Sequence, residues 1–184
     1  MRKEDNTLPI PRLWIDDAIY HIINRGARKE PIFLNNIDKY RFLLILTEAH
    51  HKYQFKLHAY CLMNNHFHLL IQSATHSPSK IMQTILQRYS SYFNRTYQTH
   101  GHVFQDRFHA VHVDQENYFL NVSKYIHLNP VVAGMVAKPE DYQWSSYNSY
   151  IKNTQRSHPF IETTKTYACY QHNPREMYRK FVEK

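Results

Sequence analysis

The sequence has 184 residues, enough for one domain with a real core, and its 42% hydrophobic and 21% charged residues are ordinary for a globular protein. Lys and Arg outnumber Asp and Glu by 23 to 15, a formal charge of +8, which favours a polyanionic partner, either nucleic acid or an anionic surface. Only two cysteines, Cys61 and Cys169, exclude a disulfide framework, and no apolar run approaches the ~20 residues that span a bilayer.

Through Pro11 the chain reads as an extended arm, and the polar, proline-broken start MRKEDNTLPIPRLW is not a signal peptide. With its free thiols, the chain is expected to be cytoplasmic. AIYHIIN, residues 18–24, is β-rich and stops at Arg25-Gly26, a first strand. NNIDKYRFLLILTEAHHKY opens with a capping Asn and carries Ile37, Tyr40 or Phe42, Leu44, Ile45 and Ala49, a first helix. FKLHAYCLM (55–63) and HFHLLIQ (66–72) are short strands joined through Asn64-Asn65, since Asn tolerates the positive φ of a tight hairpin.

SPSKIMQTILQRYSSYFNRTY starts with Ser-Pro and spaces Ile81, Ile85, Tyr89, Phe93 and Tyr97 four apart, a second helix. After Gly101, VFQDRFHAVHVD alternates as a fourth strand. QENYFLNVSKYIHLN is a third helix that Pro130 terminates, because the residue before a proline avoids the α region. The remainder is less regular, with PREMYRKFVE as a closing helix. This order of elements is the split βαβ pattern of an α+β, ferredoxin-like fold: an antiparallel sheet with helices packed on it.

His66 and His68 sit at i and i+2 of a strand and so share one face, with Phe67, Leu69 and Ile71 on the other. Two neutral imidazoles need partners for four nitrogens, which makes a poor core pair and a good pair of metal ligands. The competing reading is a half-exposed pair in a chain that has 14 His. His112 and Asp114 share the spacing and read as surface. A histidine-triad nucleotide hydrolase would need a third alternating His where Leu70 stands, and three glycines hardly build a P-loop or a dinucleotide fingerprint.

In YIHLNP, Tyr125 and Asn129 are one helical turn apart, ~40° around the axis and roughly 6 Å along it. A phenol is a potential nucleophile, and an amide carbonyl is a hard oxygen ligand. The alternative is a core tyrosine and a helix-ending asparagine.

HAYCLMNNHFHLLIQ, GHVFQDRFHAV, YIHLNPVVAG and PEDYQWSSY, in that order, resemble the single-tyrosine HUH transposases, and most of all the REP-associated tyrosine transposases related to insertion-sequence enzymes. The match runs from about PIPRLW to PEDYQWSSYNSY, and the tail resembles the family's closing helix. It implies one catalytic domain over residues 1–150 with an N-terminal arm, and a helical extension over 151–184 packed on or flanking it. By that resemblance Tyr125 is the nucleophile and His66, His68 and Asn129 are the metal ligands. Asn64 stands where the family commonly has Pro, and Asp106 where it has Gly, so Asp106 is assigned no DNA contact. His127 points away from the site and is read as structural.

The resemblance implies a bacterial, nucleoid-associated enzyme that cuts and rejoins single-stranded hairpin DNA through a 5′-phosphotyrosine. Two nitrogens and a carbonyl oxygen suit Mg²⁺ or Mn²⁺ better than a closed zinc site. Neither a small-molecule cofactor nor a membrane is expected, and the chain is read as monomer or homodimer. For DNA, Arg88, Tyr92 and Arg95 lie at i, i+4 and i+7 opposite the apolar row of the second helix, with Arg107 and Arg12 as further candidates. The alternatives are a non-catalytic DNA-binding domain of the same fold, which should have lost a site residue, and a nucleotide hydrolase, which should show a carboxylate or third His beside HFH.

Overall fold

Runs rich in β-branched and aromatic residues pair into one antiparallel sheet in a computed structural model that describes residues 14–152 and 160–184. Its strands are β1 (Ile19–Arg25), β2 (Lys56–Leu62), β3 (His66–Gln72) and β4 (His109–Val113), in the order β2-β3-β1-β4. That is the ferredoxin-like order expected. The arm before Trp14, with Arg12, lies outside the described residues.

Register assigns the faces. Arg25 stands opposite His66, Ile23 opposite His68 and His21 opposite Leu70, and paired residues project to the same side. Ile22, Phe67, Leu69 and Ile71 therefore project to the other side, where α1 (Asn36–Tyr53) and α2 (Pro78–Tyr97) cover them. Phe42 joins these layers, with ring centroids 4.8 Å from Phe67 and 5.2 Å from Tyr89.

 In helical terms Phe42, Leu46, Ala49 and Tyr53 fall at i, i+4, i+7 and i+11, one face of α1. Ile37, Tyr40 and Leu44, expected in that stripe, are 69%, 62% and 46% exposed, because they lie around the helix from this row. The amino end of α1 is a capping box: the Asn35 side chain accepts from the Ile37 and Asp38 amides, and the Asp38 carboxylate accepts from the Leu34 and Asn35 amides. Asp38 also accepts from the hydroxyls of Tyr92 and Tyr97, so α2 is tied to the start of α1.

Three local expectations are corrected. Neither Asn64 nor Asn65 has positive φ; their value in the β2–β3 hairpin is hydrogen bonding. The Asn64 carbonyl accepts from the Ile32 and Phe33 amides, and its side chain accepts from the buried Lys39 ammonium at 3.2 Å. The fourth strand starts only at His109: Phe104 makes an isolated bridge to Gly26, and the chain then leaves the sheet through 105–108. Helix α3 (Glu116–Val132) runs through Pro130. Proline removes a single hydrogen bond so near the end, and the stop is made by Gly134 at φ +66°. There the Gly134 amide donates to the Val131 carbonyl and the Met135 amide to the Pro130 carbonyl, both at 2.9 Å.

Helix α3 lies across the histidine-bearing face, with its Phe119 ring 5.2 Å from His58 of β2. The open edge of β2 is covered by later chain: the Leu62 amide donates to the Trp144 carbonyl, and the Ser146 amide to the Tyr60 carbonyl. Three more helices follow, α4 (Tyr147–Ile151), α5 (Thr164–Ala168) and α6 (Pro174–Glu183). Tyr147, Tyr150, Tyr178 and Val182 form a second buried cluster against α3. His127 is fully buried at its centre, with Nδ1 2.8 Å from the Tyr178 hydroxyl and Nε2 2.8 Å from Ser146 Oγ. It is structural, as expected. Burial lowers its pKa to about 3, so it is neutral in the folded protein. Among the described residues no helix is long and apolar enough to cross a membrane.

Tyr178→Phe removes the hydroxyl shared by His127 and Ser123, and is expected to cost about 1–3 kcal/mol in urea unfolding. An unchanged midpoint would show that this cluster does not hold α6 to α3. Because the unfolded His127 protonates near 6.5 and the folded one only near about 3, acid favours the unfolded state. Stability is therefore expected to fall as pH drops from 6.5 towards 3, and the same urea titration repeated across that window checks it.

Candidate active site

The pleat of β3 aims His66 and His68 at α3, and the α3 helix returns Tyr125 and Asn129 one turn apart over them. The imidazoles stand at 5.0 Å between centroids. The Tyr125 ring meets His68 edge-on at 5.5 Å and is 54% exposed, so one side of the phenol touches the site and the other faces solvent. The Asn129 amide nitrogen donates to the Tyr125 carbonyl at 2.9 Å. That leaves its oxygen for the two imidazoles, where it favours their protonated forms. All four candidate residues come together within one chain.

The surroundings set which nitrogens are available. Asn65 Oδ1 lies 2.7 Å from His66 Nδ1 and can only accept there, so Nδ1 carries the proton and Nε2 keeps its lone pair. His68 is buried, and its Nε2 is an orphan, without any hydrogen-bond partner. Burial lowers the pKa of His68 to about 3, with the neighbouring His21 and His66 adding to the effect, and burial also lowers that of His66, helped by Arg25. Both are neutral at pH 7, the form that binds metals. No carboxylate is among the groups that shift them, and among the described residues no group of three or more His, Cys, Asp or Glu could hold a metal. The donor set that fits a cation is two imidazole nitrogens and one amide oxygen.

Two residues of this face escaped the sequence reading, which took Arg25-Gly26 only as a strand stop. His21 of β1 is buried, and its Nε2 lies 3.0 Å from His68 Nδ1, the rings stacked at 5.2 Å. Arg25 is exposed beside His66. The signal was available: in YHIINR, His21 and Arg25 are four apart on a strand and therefore share a face.

The candidate DNA contacts are dispersed. Arg88 forms an ion pair with Glu48 of α1, and Tyr92 donates to Asp38 while the Arg41 guanidinium lies over its ring. Both belong to the α1–α2 layer, on the side of the sheet away from Tyr125. Arg95 is exposed near the end of α2, and the exposed Arg107 lines a cleft with Trp14, Lys80, Gln83 and Phe108. Arg12 lies outside the described residues.

The family model for IS200-like transposases matches residues 15–129. A solved structure of a REP-associated tyrosine transposase bound to a REP hairpin superimposes with a TM-score of 0.66 at 14% identity, covering 85% of this chain and 91% of that one. A candidate transposase from Deinococcus radiodurans gives 0.46 at 13% identity, covering 65% of this chain and 95% of that one. No curated protein matches the sequence.

The site's frame depends on a close approach at Gly26. Its amide donates to the Asn65 carbonyl beside His66, and a Cβ there would stand 2.1 Å from the Glu30 carbonyl oxygen. Gly26→Ala is expected to force this turn open at a cost of about 1–3 kcal/mol, read as a lower urea midpoint. An unshifted midpoint would mean that the turn relaxes freely.

Proposed function

Because the chain belongs to the IS200-like transposase family, we propose that it cleaves and rejoins single-stranded, hairpin-bearing DNA through Tyr125, with a divalent cation held by His66, His68 and Asn129. The observation that carries this reading is the orphaned, buried Nε2 of His68, facing the Asn129 side chain beneath a half-exposed tyrosine. A buried nitrogen without a partner is costly unless something binds it. Mg²⁺ or Mn²⁺, when bound, supplies Lewis-acid polarisation of the scissile phosphate.

The chain's own residues do the rest. Arg25, exposed beside His66, offers a fixed positive charge to the phosphate oxygens. Tyr125, on a helix anchored by His127 and Tyr178, holds its oxygen for in-line attack on phosphorus. The bond from phosphorus to the tyrosine oxygen forms as the bond to the 3′ oxygen breaks. The phenol loses its proton to solvent, and the departing strand gains one as a free 3′-hydroxyl. The 5′-phosphotyrosine conserves one phosphodiester for another, so a second 3′-hydroxyl can reverse the step on a new partner without ATP. Hairpin DNA is favoured as substrate by the chain's charge of +8 and by the fold shared with a transposase solved on a REP hairpin. Arg107 and Arg95, both exposed, are the better candidates for tracking the strand; Arg88 and Tyr92 already have partners.

The test incubates the protein with Mn²⁺ or Mg²⁺ and single-stranded hairpin oligonucleotides from its own genomic neighbourhood. A protein–DNA adduct that survives denaturant is expected, absent in Tyr125→Phe and in EDTA. Arg25→Gln is expected to slow adduct formation by about 10²-fold while leaving the fold intact. Salt-sensitive binding with no adduct on any substrate would replace this reading with that of a non-catalytic DNA-binding domain.

A further inference from the structure

The buried contact between His21 and His68 has no place in the chemistry described so far. Both rings are nearly inaccessible, and one hydrogen bond of 3.0 Å joins His21 Nε2 to His68 Nδ1. A single proton occupies that bond, so there are two arrangements. If His21 donates, His68 must carry its own proton on Nε2, which makes no hydrogen bond although the Asn129 side chain lies near it. A buried N–H would then be stranded, and the nitrogen facing Asn129 would have no lone pair to give. If His68 donates from Nδ1, the proton has an acceptor and Nε2 is left as a bare lone pair. The first arrangement strands a donor and the second does not.

We infer that His21 is a positioning residue: it accepts the Nδ1 proton of His68 and so fixes the tautomer and ring orientation in which His68 Nε2 can ligate a cation. The inference rests on the metal site proposed above. It also pairs the two ligands by the same logic, since Asn65 accepts the Nδ1 proton of His66 as His21 does that of His68. One orienting acceptor comes from the hairpin and the other from the neighbouring strand. The cross-strand partner of His68 is Ile23, so His21 reaches it diagonally, an arrangement that a large ring permits on a shared face.

The experiment uses the full chain and two substitutions, His21→Gln, whose amide oxygen can still accept, and His21→Leu, which cannot. Long-range ¹H–¹⁵N correlation of the imidazoles in metal-free protein reads the tautomer of His68 directly. Titration with Mn²⁺, followed by the loss of the free-ion EPR signal, reads the affinity without DNA. Wild type is expected to hold His68 as the Nδ1–H tautomer. His21→Leu is expected to shift it towards Nε2–H and to weaken Mn²⁺ binding by about 10–100-fold, with His21→Gln within a few-fold of wild type. A wild-type His68 protonated on Nε2 would overturn the inference. So would a folded His21→Leu protein with unchanged Mn²⁺ affinity, or a wild type that binds no Mn²⁺. Should His21→Leu not fold, the wild-type tautomer and the His21→Gln affinity decide the matter. Mn²⁺ binding with the expected tautomer but no DNA adduct would leave this inference standing and overturn the strand-cleavage reading instead.

Discussion

The alignment of β1 with β3 is the constraint on which the candidate site depends. With Ile23 opposite His68 and Arg25 opposite His66, His21, Arg25 and both candidate histidine ligands fall on one face, and Ile22, Phe67 and Leu69 fall on the other. A slip of one residue would send the imidazoles into the packing of Phe42 and Tyr89 and expose the apolar row. The core and the site are thus specified by the same hydrogen bonds. The apolar stripe that anchors α1 and α2 also fixes where His66 and His68 point.

A second requirement is that α3 hold still. A tyrosine on a half-exposed helix is useful only if its backbone does not drift, and the chain meets this with an aromatic clamp on the far side of the helix. His127 and Ser123 of α3 share the Tyr178 hydroxyl, while Ser146 joins His127 to the edge of β2 through the Tyr60 amide. The abundance of tyrosine follows from this. A tyrosine fills core volume like phenylalanine yet ends in a hydroxyl that can tie one element to another, as Tyr142 does to the Leu62 carbonyl and Tyr167 to that of Tyr150.

Much of this was legible in the sequence because it is periodic or punctuated. The alternation of HFHLLIQ, the Ser77-Pro78 start of α2 and the Asn35 cap of α1 are local signals, and each element lies within a residue or two of its expected place. The resemblance to single-tyrosine HUH transposases supplied the grouping of Tyr125 and Asn129 with the histidines, which spacing alone left open. What was not legible depends on tertiary neighbours. That His21 reaches His68 is a matter of register between strands some fifty residues apart. That Pro130 sits inside a helix depends on Gly134 and on the two amides that close its end. Asn64 looked like a turn residue and serves as an acceptor for a buried lysine, a demand made by α1 and invisible in the hairpin itself.

The donor set at the candidate metal site consists of two neutral imidazoles and an amide, and no carboxylate is among the groups that perturb those imidazoles. In the proposed function such a set leaves a dication's charge uncompensated. The anion that restores electroneutrality is then the phosphodiester itself. Ion and DNA become heterotropic ligands of one site, and by linkage each raises the affinity for the other by the same factor. An enzyme built this way would hold the ion more weakly between substrates, and would bind it most tightly where a DNA strand lies against His66 and Arg25 to complete its charge.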